Sequence, residues 1–304
     1  MKISTPGIGG LGAVLAACAV SACTVNVNTE GATASETRKF TVSGSPTVSL
    51  DTFDGAIEVH SWDRNEVEVV IDKRAQDEAL LGQIVVEQAQ DGDHVTLRVR
   101  GPAAAARSGV VIGVSFSPRA KLRVALPKTA SLDLKSGDGT ISVQDVTGAF
   151  TLASDDGAII GTRLTGEVRA RTDDGSIRLR EMSGKIDVET LDGSIVVNGA
   201  LTHLRAKTGD GSVRIGAESG SVLVDDWLVE TGDGSVELRL PPGLALAIDA
   251  STSDGAIRSS YPGLTVPDRT DEDRSGGREL KATLGAGGRT LRVRTGEGRI
   301  RFES

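Results

Sequence analysis

Between residues 138 and 224 the apolar residues fall in pairs two positions apart, each pair opening shortly after a glycine. The pairs are Ile141/Val143, Phe150/Leu152, Val168/Ala170, Ile177/Leu179, Ile186/Val188, Ile195/Val197, Leu204/Ala206, Val213/Ile215 and Val222/Val224. Alternation with a period of two, rich in β-branched residues and bounded by Gly and Asp, specifies short half-buried strands rather than helices. The strands also keep a beat. Asp-Gly pairs begin at Asp138, Asp156, Asp174, Asp192 and Asp210, each step being 18 residues, and Gly148, Gly166 and Gly184 mark the half-step of 9. This predicts an all-β fold, a single-stranded β-solenoid with 18-residue rungs. Each rung holds two 9-residue strand-turn units, and rungs stack about 4.8 Å apart. A hexapeptide helix is excluded, because steps of six from Ile177 land on the polar Ser183 and Glu189.

The corner before each second strand reads Ser/Thr-x-Asp-Gly. Outside the strict array it recurs at Thr52-Phe53-Asp54-Gly55, Thr231-Gly232-Asp233-Gly234, Thr252-Ser253-Asp254-Gly255 and Thr295-Gly296-Glu297-Gly298. Between the first copy and residue 136 the runs Ile57–Trp62, Glu66–Lys73, Gln83–Ala89, His94–Arg100 and Ala120–Leu126 read as ordinary strands, with a hairpin turn at Gln90-Asp91-Gly92-Asp93. Residues 46–135 are therefore expected to form an irregular antiparallel β portion, continuous with solenoid repeats over 136–304. The charged, Pro/Gly-rich stretch 262–278 reads as a loop. Only Gln76 to Gly82 hints at helix.

The N-terminus follows different rules. Lys2, a Gly/Ala/Leu/Val stretch and a small-residue exit mark residues 1–22 as an export signal. Its end, Val20-Ser21-Ala22-Cys23, resembles the lipobox of bacterial lipoproteins, in which the cysteine thiol is lipidated and becomes the first mature residue. Cys18 is the only other cysteine and falls inside the signal, so no disulfide framework is available. Cys23 is thus the candidate lipidation site. Residues 23–45, polar and small, read as a flexible tether. The protein is expected to be exported and lipid-anchored in the cell envelope, at the outer membrane or periplasm in a Gram-negative cell and at the surface in a Gram-positive one.

Composition narrows the chemistry. Gly is 38 of 304 residues and aromatics are 3%, which fits many tight corners around a narrow core. Loss of Lys2 takes the formal net charge from −8 to −9. Such a chain has no basic field for phosphate backbones, so nucleic acid is not an expected partner. His60, His94 and His203 lack metal-ligand spacing, and no nucleotide loop or nucleophile elbow is present. Arg169/Arg171, Arg178/Arg180, Arg292/Arg294 and Arg299/Arg301 occupy outward strand positions and read as a solvated face. Trp62 and Trp227 are too few for a sugar-stacking platform.

The corner admits three readings. In the structural one, Asp and Ser/Thr side chains bond nearby backbone N–H groups and Gly supplies positive φ. In the second, Asp138, Asp156, Asp174, Asp192 and Asp210 form a weak cation row, with Ca²⁺ relieving repulsion of about 1 kcal/mol per pair. The nine-residue calcium roll needs an acid in every half-step, whereas here the acid recurs only every 18 residues. The third reading is a polysaccharide-active β-helix enzyme. It is opposed by the uniformity of the row, since identical environments cannot separate an acid from a base.

The repeat spacing, the Leu126-Pro127 and Leu240-Pro241 steps and the closing LRVRTGEGRIRF resemble the bacterial putative-adhesin family, a domain of unknown function, from about residue 46 onward. The resemblance implies an exported or membrane-tethered β-solenoid with no catalytic residues to carry over. The expected role is a non-catalytic, adhesin-like interaction or scaffold surface for an envelope protein, a polysaccharide or a neighbouring copy, with an envelope-stress sensor as a further alternative. The C-terminal strand, bearing Arg299, Arg301 and Glu303, is expected to be the charged terminal rung.

Overall fold

The computed structural model describes residues 20–28, 31–102, 117–266 and 277–304, the first of these stretches as backbone. The described residues are all-β apart from one four-residue helix, Glu78–Leu81, capped by the Asp77 carboxylate on Leu80 N–H. The expected export signal, residues 1–22, lies, but for its last three residues, outside the described residues. So does most of the expected loop at 262–278.

Two walls of mostly parallel strands enclose a thin apolar core. On one wall Ile57, Ile141, Ile159, Ile177, Ile195 and Val213 lie in register, each over the next, and Val236, Ile300 and Ile257 complete the column. Each of these side chains is at most 2% exposed. The opposite wall stacks Leu132, Phe150, Val168, Ile186 and Leu204 in the same manner. Burying one such side chain contributes about 1.5–3 kcal/mol. Identical shapes recur at identical heights, so a short repeating sequence suffices to fill the interior.

The order of rungs in space departs from the order in the chain at both ends. Thr47–Thr52 and Ile57–Trp62 form a parallel rung that slots between His94–Arg100 with Arg119–Pro127 on one side and Ser131–Ser136 with Ile141–Gln144 on the other. The portion expected to be antiparallel is therefore mixed. The Thr52-Phe53-Asp54-Gly55 corner stacks with its relatives through the Gly55 carbonyl, which accepts from the Ser136 hydroxyl. Near this end antiparallel pairing joins Glu66–Ala75 to Arg119–Pro127, Val85–Asp91 to His94–Arg100 and Gly31–Thr41 to Glu66–Ala75. At the other end Thr290–Thr295 and Ile300–Glu303 insert between Trp227–Thr231 with Val236–Arg239 and Leu246–Thr252 with Ile257–Ser259. The C-terminal strand is consequently an interior strand, correcting its reading as the terminal rung. Leu246–Thr252 is in turn covered by antiparallel Arg278–Leu284.

Two further expectations change. Residues 31–41 of the expected tether form a strand, Gly31–Thr41, along Glu66–Ala75, because Ala32, Phe40 and then Val42 supply buried side chains that the polar composition concealed. Val20–Asn28, which contains Cys23, pairs in turn with Gly31–Thr41. Val222 and Val224 are not core residues. They are 58% and 59% exposed, and Trp227 and Val229 take the core positions instead. The inserted residues 218–226 run beside Gly199–Thr202, held by Glu218, Val222 and Val224 N–H donating to the carbonyls of Gly199, Leu201 and Thr202.

Candidate functional site

The repeated corner brings the same chemistry back in nine stacked copies among the described residues. Its first residue is a buried hydroxyl. Thr172 Oγ1 lies 3.0 Å from the carbonyl oxygens of Asp155 and Gly157 and accepts from Gly175 N–H at 3.2 Å. Thr190 repeats this with Asp173, Gly175 and Gly193, and Thr295 with Gly232, Gly234 and Gly298. Each hydroxyl thus ties its own turn to the turn below. A backbone bond runs alongside, from Asp173 N–H to Asp155 carbonyl at 2.8 Å and from Leu191 N–H to Asp173 carbonyl at 2.9 Å.

The glycine has a different task from the one expected. Among the nine corner glycines only Gly55 has a left-handed φ. A Cβ on Gly175 would overlap the carbonyl oxygen of Gly157, the corner glycine of the rung beneath. What the position requires is close backbone approach, not positive φ. Positive φ is needed at the half-step instead, where Gly166 has φ 127°.

The aspartates point outward. Gly-on-Gly stacking orders the corners in space as 55, 139, 157, 175, 193, 211, 234, 298 and 255. Asp138, Asp156, Asp174, Asp192 and Asp210 therefore sit on one edge, extended by Asp54 on one side and by Asp233, Glu297 and Asp254 on the other. Asp138, Asp156, Asp174, Asp192 and Asp210 are exposed. The backbone N–H groups of Asp174, Asp192 and Asp210 donate to the rung beneath, but among the described residues none of the five carboxylates takes part in a hydrogen bond or ion pair. The expected Asp-to-backbone bonds are absent from these five corners, and the hydroxyl alone does the capping. The Asp156 carboxyl is held above its ordinary value, first by desolvation and then by the charges of Asp174, Asp138, Asp155 and Asp173. Among the described residues no group of three or more His, Cys, Asp or Glu converges as metal ligands would.

The walls are laced by charge pairs between stacked rungs. Arg171 meets Glu189 at 3.4 Å, Lys207 meets Glu230 at 2.8 Å, Arg214 meets Glu237 at 3.2 Å and Arg294 meets Asp249 at 2.7 Å. Exposed pairs of this kind contribute little each, about 0–1 kcal/mol. Five of the arginines read as a solvated face thus stand beside acids, whereas Arg178, Arg180 and Arg299 enter no ion pair among the described residues. Trp227 is buried at 1% exposure, and Trp62 is half-buried with the Arg64 guanidinium over its ring, 4.7 Å from the centre. His203 Nδ1 lies 2.7 Å from Asp225, a pairing that its sequence position gave no sign of. Cys23 lies in Val20–Asn28, where pairing with Gly31–Thr41 skips between Ser21 and Thr24. Its side chain is outside the described residues. Among the described residues no helix is long and apolar enough to cross a membrane.

Comparison with solved structures finds proteins similar over most of their length. One is a putative adhesin from Bacteroides fragilis at 11% identity and TM-score 0.42, with 88% of this chain and 96% of that one covered. Another is a putative lipid binding protein from Parabacteroides distasonis at 12% identity and TM-score 0.41, with 89% and 97% covered. A third is a putative cell adhesion protein from Clostridium sporogenes at 13% identity and TM-score 0.30, with 88% and 98% covered. No curated protein matches the chain. The model of the Toastrack DUF4097 family matches residues 48–303. That span takes in both displaced rungs and every corner described above, and the chain belongs to the Toastrack DUF4097 family.

Proposed function

We propose that this protein is a non-catalytic, lipid-anchored β-solenoid of the cell envelope, built on an 18-residue rung and working as an adhesin-like interaction or scaffold surface. The observation that carries the reading is the uniformity of the corner. From Ser136 onward each corner spends its hydroxyl and glycine on stacking and leaves at least one exposed acid, so the repeated geometry serves the fold while the outward positions are available for binding. The names of the structural neighbours agree with this only in outline.

The anchor is at Cys23, and Cys23→Ala is expected to move the protein out of the membrane fraction; unchanged fractionation overturns the anchor. A pull-down from detergent-solubilised envelope, with the Cys23→Ala chain as control, tests the surface role. Recovery of a specific envelope protein or polysaccharide supports it, and recovery of none opposes it. The acidic edge through Asp138, Asp156, Asp174, Asp192 and Asp210 is read as a diffuse row that gathers cations. Equal melting temperatures in added Ca²⁺ and in excess EGTA would remove that role.

The competing reading is a polysaccharide-active enzyme, and the raised Asp156 carboxyl is what favours it. Against it, Asp156 is exposed, and it lines none of the cavities at Thr33–Lys121, Asp51–Gly101 or Ser219–Ala245. A general acid needs a bound substrate within hydrogen-bond reach.

A further inference from the structure

On a chain with net charge −8, one cavity is lined by cations. It has a volume of about 320 Å³ and is bordered by Thr33, Ser35, Asp72, Arg74, Arg119 and Lys121. Three antiparallel strands place them. Thr33 is opposite Arg74 and Ser35 is opposite Asp72, while on the next strand Arg74 is opposite Arg119 and Asp72 is opposite Lys121. Positions two apart share a face of a strand, so the six form a two-by-three grid on one side of the sheet.

The grid holds an electrostatic conflict. Arg74 and Arg119 are direct cross-strand partners, and like charges in that relation destabilise a sheet. The one carboxylate in the grid, Asp72, is already engaged by Arg123 at 2.7 Å and by the Ser35 hydroxyl at 2.8 Å. Lys121 holds Glu58 at 2.8 Å, and Arg74 has a contact of its own. Arg119 is exposed and enters no ion pair among the described residues. An anion bridging Arg119 and its neighbours would remove the conflict, and guanidinium groups favour phosphate through paired N–H donors.

We propose that this cavity binds the phosphate of an anionic lipid headgroup. The choice of a membrane source rests on the Cys23 anchor. Val20–Asn28 runs hydrogen-bonded along Gly31–Thr41, pairing Thr24 with Ser35 and Asn26 with Thr33. A chain anchored at Cys23 therefore holds the cavity one strand away from the bilayer attachment, where the effective concentration of headgroups is high. The exposed cations add an electrostatic component that falls with salt.

The test uses the purified full chain carrying Cys23→Ala, with phosphatidylglycerol vesicles, phosphatidylcholine vesicles and glycerol phosphate as probes. Expected are sedimentation with phosphatidylglycerol but not phosphatidylcholine, a loss of about tenfold in affinity in Arg119→Gln, and no change in Arg178→Gln, four strands further along the same wall. Binding of glycerol phosphate without vesicle binding would make the ligand a soluble phosphate ester and overturn the membrane assignment. No binding of either probe, or equal effects of the two arginine substitutions, would overturn the site itself. Because this chain lacks the lipidated cysteine, the outcome is independent of fractionation in cells, which alone judges the anchor.

Discussion

The smallest unit that explains the molecule is a hydroxyl, a glycine and an acid with separate duties. Thr190→Val keeps the shape of the first but strands the Gly193 N–H and the Gly175 carbonyl in a buried corner. Chemical denaturation should show a loss of about 1–3 kcal/mol. Gly175→Ala places a methyl against the Gly157 carbonyl, and the rungs must part locally, at about 1–3 kcal/mol. Asp156→Asn behaves oppositely. The folded-state carboxyl is raised, so the folded chain holds that proton more tightly than the unfolded one, and the ionised group opposes folding at neutral pH. The variant should melt higher than the parent at pH 7. Its advantage should shrink as pH falls through the raised pKa and vanish below the ordinary aspartate value of about 4. Thermal melts across that window check the sign, and a lower melting temperature at pH 7 would contradict it. The sequence pattern revealed which residues make the corner because they repeat. It misassigned the work of the glycine and the aspartate, since the partner of each atom lies a whole rung away in the chain.

Strands in this protein are simple and their order is not. The alternation that located Ile141, Ile159, Ile177 and Ile195 also placed them correctly in the core, because a residue and its repeat occupy the same height. Val222 and Val224 obey the same alternation and lie outside. Period two is satisfied by any extended chain, and only stacking partners distinguish a rung from an insertion. Phe40 was legible as apolar but not as buried, because its neighbours on Gly31–Thr41 are polar and its support comes from Glu66–Ala75. The middle of the stack offers a clean test: Ile177→Ala empties a site packed between Ile159 and Ile195. It should cost about 2–5 kcal/mol in denaturant titration, whereas Val222→Ala should change stability by no more than about 0.5 kcal/mol.

Taken whole, the molecule is a stack in which each rung touches only its two neighbours, the condition under which stability accumulates by nearest-neighbour terms. Hydrogen exchange is expected to be slowest through Thr165–Thr208 and fastest at the outer strands Val85–Asp91 and Arg278–Leu284, each paired on one side among the described residues. Uniform exchange along the stack would contradict that picture. A sequence read as a linear array could not foresee that the stack is out of chain order at its ends, because nothing in Thr295-Gly296-Glu297-Gly298 says which corner lies beneath it. That displacement matters for synthesis. Rungs from Ser131 to Arg239 can settle one upon another as they leave the ribosome, in the order they are made. The rung of Leu246–Thr252 and Ile257–Ser259 emerges before the one that must lie under it, and so has no finished platform until Thr290–Glu303 arrives. The far end of the solenoid is therefore assembled after translation of its last strands, as a clasp rather than as another layer. A nascent chain stalled short of residue 290 would carry a completed stack with an open, sticky face.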